Sequence, residues 1–111
     1  MNRNPMSENK RSSPVDDQKV RAHVWVKGRV QGVGFRAHVE YSARQIDGLT
    51  GWVRNVGYDT VEAIAEAERD KVDRFIQMMK EGPRDSRVDE SKVEWEKPTG
   101  EFMQFGVRRS L

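Results

Sequence analysis

The sequence predicts an α+β fold: one antiparallel sheet with two helices packed on a single face. Three observations predict it. Short runs alternating apolar and polar residues recur along the chain, and two amphipathic segments with helical spacing interrupt them. The order is strand, helix, strand, strand, helix, strand, with an extra strand-like run near the C-terminus.

Residues 1–19, MNRNPMSENKRSSPVDDQK, have almost no apolar content and two prolines. They read as a disordered or loosely attached tail, lacking the apolar stretch of a signal peptide. The folded domain is then 20–111. Its first strand places Val20, Ala22, Val24 and Val26 on one face, with Arg21, His23, Trp25 and Lys27 on the other. After the glycine-rich loop GRVQGVGFR (28–36), Phe35, Val39, Ala43 and Ile46 recur at helical spacing through 35–48, where Gly48 is suited to a C-terminal cap. TGWVRN (50–55) and TVEAIAEA (60–67) read as two strands joined by a hairpin, Gly57 supplying the turn. A second helix over 69–82 carries the stripe Val72, Phe75, Ile76 and Met79, and Gly82-Pro83 stops it. KVEWE (92–96) and FMQFGVR (102–108) are weaker strand candidates, split by the turn KPTG.

This order is the ferredoxin-like β-α-β-β-α-β arrangement with a short extra strand. In it the first two strands run parallel, joined by a right-handed crossover, with the third inserted between them. The ends of the first and second strands therefore meet at one edge of the sheet. The glycine loop with Arg36 stands at one end and Asn55 at the other, so the pattern alone makes them neighbours.

Glycines in such a loop can serve merely to turn the chain. Arg36 adds something, because a cation in the first turn of a helix is unfavourable by about 0.3–1 kcal/mol. Together with backbone amides freed by Gly32 and Gly34 it makes a concave positive pocket suited to a phosphate-like anion. A guanidinium fork can hold two phosphate oxygens at once. The spacing is neither a Walker A loop nor a dinucleotide fingerprint.

GRVQGVGFR followed by GWVRN (51–55) resembles the two signature motifs of the acylphosphatase family. The resemblance extends through TVEAIAEA, the GP at 82–83 and VEWEKPTGEF (93–102), covering roughly 20–108. It implies hydrolysis of the carboxyl–phosphate anhydride of a small acyl phosphate, with no metal or organic cofactor. By motif position Arg36 binds the phosphoryl group with the backbone of Val30, Gln31, Gly32, Val33 and Gly34, and Asn55 holds the attacking water. The chemistry suits these residues. An acyl phosphate expels a carboxylate, whose conjugate acid has a pKa near about 4, so no general acid is required. A loose phosphoryl transition state asks mainly for positioning and charge stabilisation. Two departures from the family pattern stand out: Asp59 and Ala67 occupy positions where glycine is usual.

Other readings stay open at this point. Asn55 alone is an ordinary turn residue, and Gln31 can simply bridge loop backbone groups. A non-catalytic module binding phosphate or carbamoyl phosphate would use the same fold. Trp25 and Trp95, placed on the open sheet face, invite comparison with RNA-binding domains of this topology, but no matching aromatic motif is present. His23 and His38 read as structural or surface residues. The chain contains no cysteine, which excludes disulfides and a thiolate nucleophile. Its 20 basic and 18 acidic side chains are interspersed, so no basic block points to nucleic acid or anionic lipid. No apolar run approaches the roughly 18 residues of a membrane span. A cytoplasmic monomer is expected.

Overall fold

The computed structural model describes residues 18–111; the expected tail over 1–19 lies almost wholly outside them. The elements are β1 (Lys19–Arg29), α1 (Phe35–Arg44), β2 (Thr50–Val56), β3 (Thr60–Glu68), α2 (Arg69–Glu81), β4 (Arg87–Glu96) and β5 (Phe105–Val107). They form a five-stranded sheet in the order β4-β1-β3-β2-β5. β3 pairs antiparallel with both β1 and β2, so those two run parallel with β3 between them, as the pattern predicts.

The last strand departs from expectation. β5 is shorter than the expected 102–108, and beyond the KPTG connection it crosses to the opposite edge and pairs parallel to β2, with Gly51 opposite Phe105 and Val53 opposite Val107. The sheet is therefore mixed. Phe105 explains the crossing: its side chain is 1% exposed and lies 5.4 Å from the Phe75 ring, filling the core beneath α2.

The rest of the core follows the alternation. Ala22, Val24 and Val26 of β1 face Val61, Ala63, Ala65 and Ala67 of β3, and Phe35, Val39, Ala43, Val72, Phe75 and Met79 close over them from the helices. Small side chains on the central strand let both helices approach the sheet closely. α1 ends earlier than the sequence suggests. Bonds of shorter span, Gln45 N to Ser42 O at 3.1 Å and Ile46 N to Ala43 O at 3.0 Å, tighten the chain after Arg44, and Gly48 lies in the following turn. β4 begins earlier, at Arg87, because its alternation is hidden among charged residues.

Trp95 is also placed differently. It pairs with buried Ala22 and so lies on the helix side of the sheet, 46% exposed at the rim beneath the Arg69 guanidinium. The opposite face is occupied by charge pairs. Glu62 and Glu66 are 6% and 1% exposed there. Arg54 Nε donates to Glu62 at 2.7 Å, and His23 lies between Glu62 and Glu96 at 2.6 and 2.9 Å, stacked on Trp25. Arg21 Nη1 donates to Glu66 at 3.1 Å while the 97–104 connection folds over both. His23 is thus structural, as one of the two readings had it.

Candidate active site

The register brings the ends of β1 and β2 together. Thr60, the first residue of β3, sits opposite Lys27 of β1 and opposite Val56 of β2. A register shift between Lys27 and Gly28 puts a bulge into the β1–β4 ladder, while the pairing with β3 ends at Lys27 and β1 stays paired to β4 through Arg29. The Gln31 amide clamps the two ends: its Nε2 donates to Thr60 O at 3.0 Å and Gly57 O at 3.1 Å. Gln31 therefore bridges the glycine loop to the hairpin that follows Asn55.

Gly32 and Gly34 have φ of 71° and 76°, the left-handed conformation that side chains with a Cβ adopt only under strain. Nothing lies near a Cβ built on either, so backbone conformation and not space selects glycine here. Gly34 is also the N-cap of α1 and has no side chain to cap it; the first turn contains no acidic residue. Among the described residues the amides of 31–34 donate no hydrogen bond. A helix N-terminus with free amides and a guanidinium in its first turn attracts an anion.

These groups converge on a cavity of about 360 Å³. It is lined by Val30, Gln31, Gly32, Gly34, Arg36 and Asn55, all candidates from the sequence. Val33 does not line it; its side chain packs against the core. Four lining residues are not among those candidates: Phe35, Ala37 and Glu40 of α1, and Val107 of β5. Glu40 was discoverable in principle, since it lies one helical turn beyond Arg36. Val107 was not, because only the parallel pairing with β2 brings it there.

The C-terminal segment continues beside β2. Arg108 N donates to Val53 O at 2.8 Å and Leu111 N to Asn55 O at 2.9 Å. Ser110 Oγ meets Arg36 Nη1 at 3.4 Å, a long and exposed contact that leaves the guanidinium free to turn to a ligand. Asp59 does not line the cavity; its carboxylate lies 3.9 Å from Lys27 Nζ and accepts from Thr60 Oγ1 at 3.0 Å. Gly57 takes the left-handed turn position at φ 62°, and Ala67 is buried in the core. Both departures from the family's glycines are thus absorbed outside the cavity.

Fold and cavity together define a small ferredoxin-like domain with a glycine-loop cavity, lined by Arg36 and Asn55, at one sheet edge. The model of the acylphosphatase family matches residues 22–107. An acylphosphatase from Roseiflexus sp. (strain RS-1) is 47% identical over 87 residues, which are 78% of this chain and 92% of that one. The structure of an acylphosphatase from Coxiella burnetii superposes with a TM-score of 0.75 at 36% identity, covering 81% of this chain and 93% of the other. Full-length HypF in its phosphate- and nucleotide-bound form matches with a TM-score of 0.74 at 29% identity, covering 85% of this chain but 12% of HypF. The chain belongs to the acylphosphatase family. It is an enzyme of that family, and its activity is the hydrolysis of acyl phosphates.

Proposed function

We propose that Arg36 and the backbone amides of residues 30–34 bind the phosphoryl group of a small acyl phosphate, and that Asn55 orients the water that attacks it. The observation that carries this reading is the convergence of the left-handed glycine loop, Arg36 and Asn55 on one cavity. Arg36 is destabilised at its helix start until an anion arrives, so its charge is held ready for the phosphoryl oxygens. The Asn55 carboxamide oxygen accepts a hydrogen bond from water while its amide group donates elsewhere. Attack then releases inorganic phosphate and a carboxylate, which leaves as an anion without protonation. Charge stabilisation and positioning supply the catalysis, and no step requires a covalent intermediate.

Gln31 serves this reading by fixing the loop to the hairpin beside Asn55. We infer a monomer working in the cytoplasm. A cysteine-free sequence is compatible with a reducing compartment, and among the described residues no helix is long and apolar enough to cross a membrane.

Benzoyl phosphate hydrolysis and calorimetric titration with inorganic phosphate test the assignment together. Arg36→Gln should lose both phosphate binding and turnover. Asn55→Ala should keep phosphate affinity near the parent value and lose turnover about 100-fold or more, the scale set by loss of a group that acts on the transition state. Full turnover in Asn55→Ala would remove Asn55 from the mechanism.

A further inference from the structure

Arg36 and Glu40 stand one helical turn apart on α1, and both line the cavity. That spacing brings side chains into reach of each other, so Glu40 is a ready internal competitor for any anion at Arg36. Yet the Glu40 carboxylate is engaged in the other direction: its Oε2 lies 3.3 Å from Arg44 Nη2. Arg44 in turn is anchored from the far side, its Nε donating to Phe105 O at 3.0 Å. Among the described residues, Arg21, Arg54, Arg69 and Arg87 each face a carboxylate, whereas Arg36 meets only Ser110.

Two physical preferences support this division. An acid placed four residues before a base on a helix pairs better than the reverse order, which favours Glu40–Arg44 over Arg36–Glu40. Arg44 also sits in the last turn of α1, where a cation is favoured by the helix dipole. With Arg44 removed, Arg36 is the cation left within one turn of Glu40 on this helix. The N-terminal end of the dipole draws the carboxylate the same way.

We propose that Arg44 is a positioning residue of the phosphate site: it holds Glu40 and so keeps that carboxylate off Arg36. This rests on the reading that Arg36 binds the phosphoryl group. Arg44 touches no substrate atom in this account; it acts through Glu40. Its separate bond to Phe105 O ties the helix carrying Arg36 to β5, the strand that supplies Val107 to the cavity wall.

The test is a double-mutant cycle read by calorimetric titration with inorganic phosphate, with KM for benzoyl phosphate as a second readout. Arg44→Gln should weaken phosphate binding about 2–5-fold, the scale of a helical ion pair competing at a partly exposed site. In a Glu40→Gln background the same change should weaken it by less than about 1.5-fold, because the competitor is gone. KM should follow the same pattern, and Arg44→Lys, which keeps the charge, should stay within about twofold of the parent. An equal loss in both backgrounds would overturn the proposal, since Arg44 would then act by overall charge or through its tie to Phe105. Arg36→Gln belongs in the same series. If it abolishes phosphate binding while Arg44→Gln has no effect in the parent, the positioning role alone fails. If Arg36→Gln leaves binding unchanged, the site assignment falls and this proposal with it.

Discussion

Glu66 is a buried carboxylate outside the cavity, and Glu66→Gln measures what it contributes. Its carboxylate, 1% exposed, accepts from Thr99 N at 2.9 Å, Gly100 N at 3.0 Å, Arg21 Nη1 at 3.1 Å and Thr99 Oγ1 at 3.3 Å. Glutamine preserves the volume, so no cavity forms. It has one acceptor oxygen, and that oxygen must take the Oε2 position, where Arg21 and both Thr99 groups converge. The new amide group then faces the Gly100 N–H, leaving a buried donor unmatched at a cost of about 1–3 kcal/mol. The Arg21 bond also falls from charge-assisted to neutral, roughly another 1 kcal/mol, softened because Arg21 keeps Glu96 and Glu101. The total is about 2–4 kcal/mol out of the roughly 5–15 kcal/mol that stabilises a small domain. Urea denaturation followed by tryptophan fluorescence reads it: with a slope of about 1.5 kcal/mol per M, the midpoint falls by about 1.3–2.7 M at unchanged slope. A shift below about 0.5 kcal/mol would refute the reasoning, because it would place this site among ordinary surface positions.

Acid pH should act on the same face. Burial alone would push the Glu62 and Glu66 carboxyls up; hydrogen bonds from His23 and Arg54 at Glu62, and from Thr99, Gly100 and Arg21 at Glu66, outweigh it and hold both below their ordinary value of 4.5. The unfolded chain therefore binds more protons, so this stability is present above pH 4.5 and lost as pH falls through the lowered folded values. The urea midpoint should fall on that acid limb, and the limb should flatten in a Glu62→Gln/Glu66→Gln double variant. On β2, next to the Thr50–Glu66 pair, Gly51 has φ 142° and a Cβ there would overlap the Ile64 carbonyl oxygen of β3. Gly51→Ala should cost about 2 kcal/mol or more by splaying β2 from β3, and a thermal melt unchanged from the parent would contradict that packing.

Much of the site is legible in the chain because it is built from local signals joined by one simple topology. The left-handed glycines and the alternation of β1 can each be read over a few residues. The β-α-β crossover with β3 inserted then leaves little freedom in where Arg36 and Asn55 end up. The errors have a different origin. Alternation shows which residues share a face but not which face is covered, so Trp95 was assigned to the wrong side of an edge strand. β5 spans only Phe105–Val107 and its place is chosen by a distant aromatic contact with Phe75, which no local pattern records.

The sequence by itself determined the elements around the cavity, the glycine turns of the loop and the neighbourhood of Arg36 and Asn55, because steric and periodic constraints act over a few residues. Only the tertiary structure decided the partners of the charges. Glu66 is buried where the 97–104 connection folds back over the sheet, and Glu62 is closed in by His23 and Arg54. Glu40 turns toward Arg44, itself anchored on β5, and leaves Arg36 to the cavity. Ion pairs depend on the distance between groups in space, and in a chain of interspersed charges that distance is fixed only when the sheet closes.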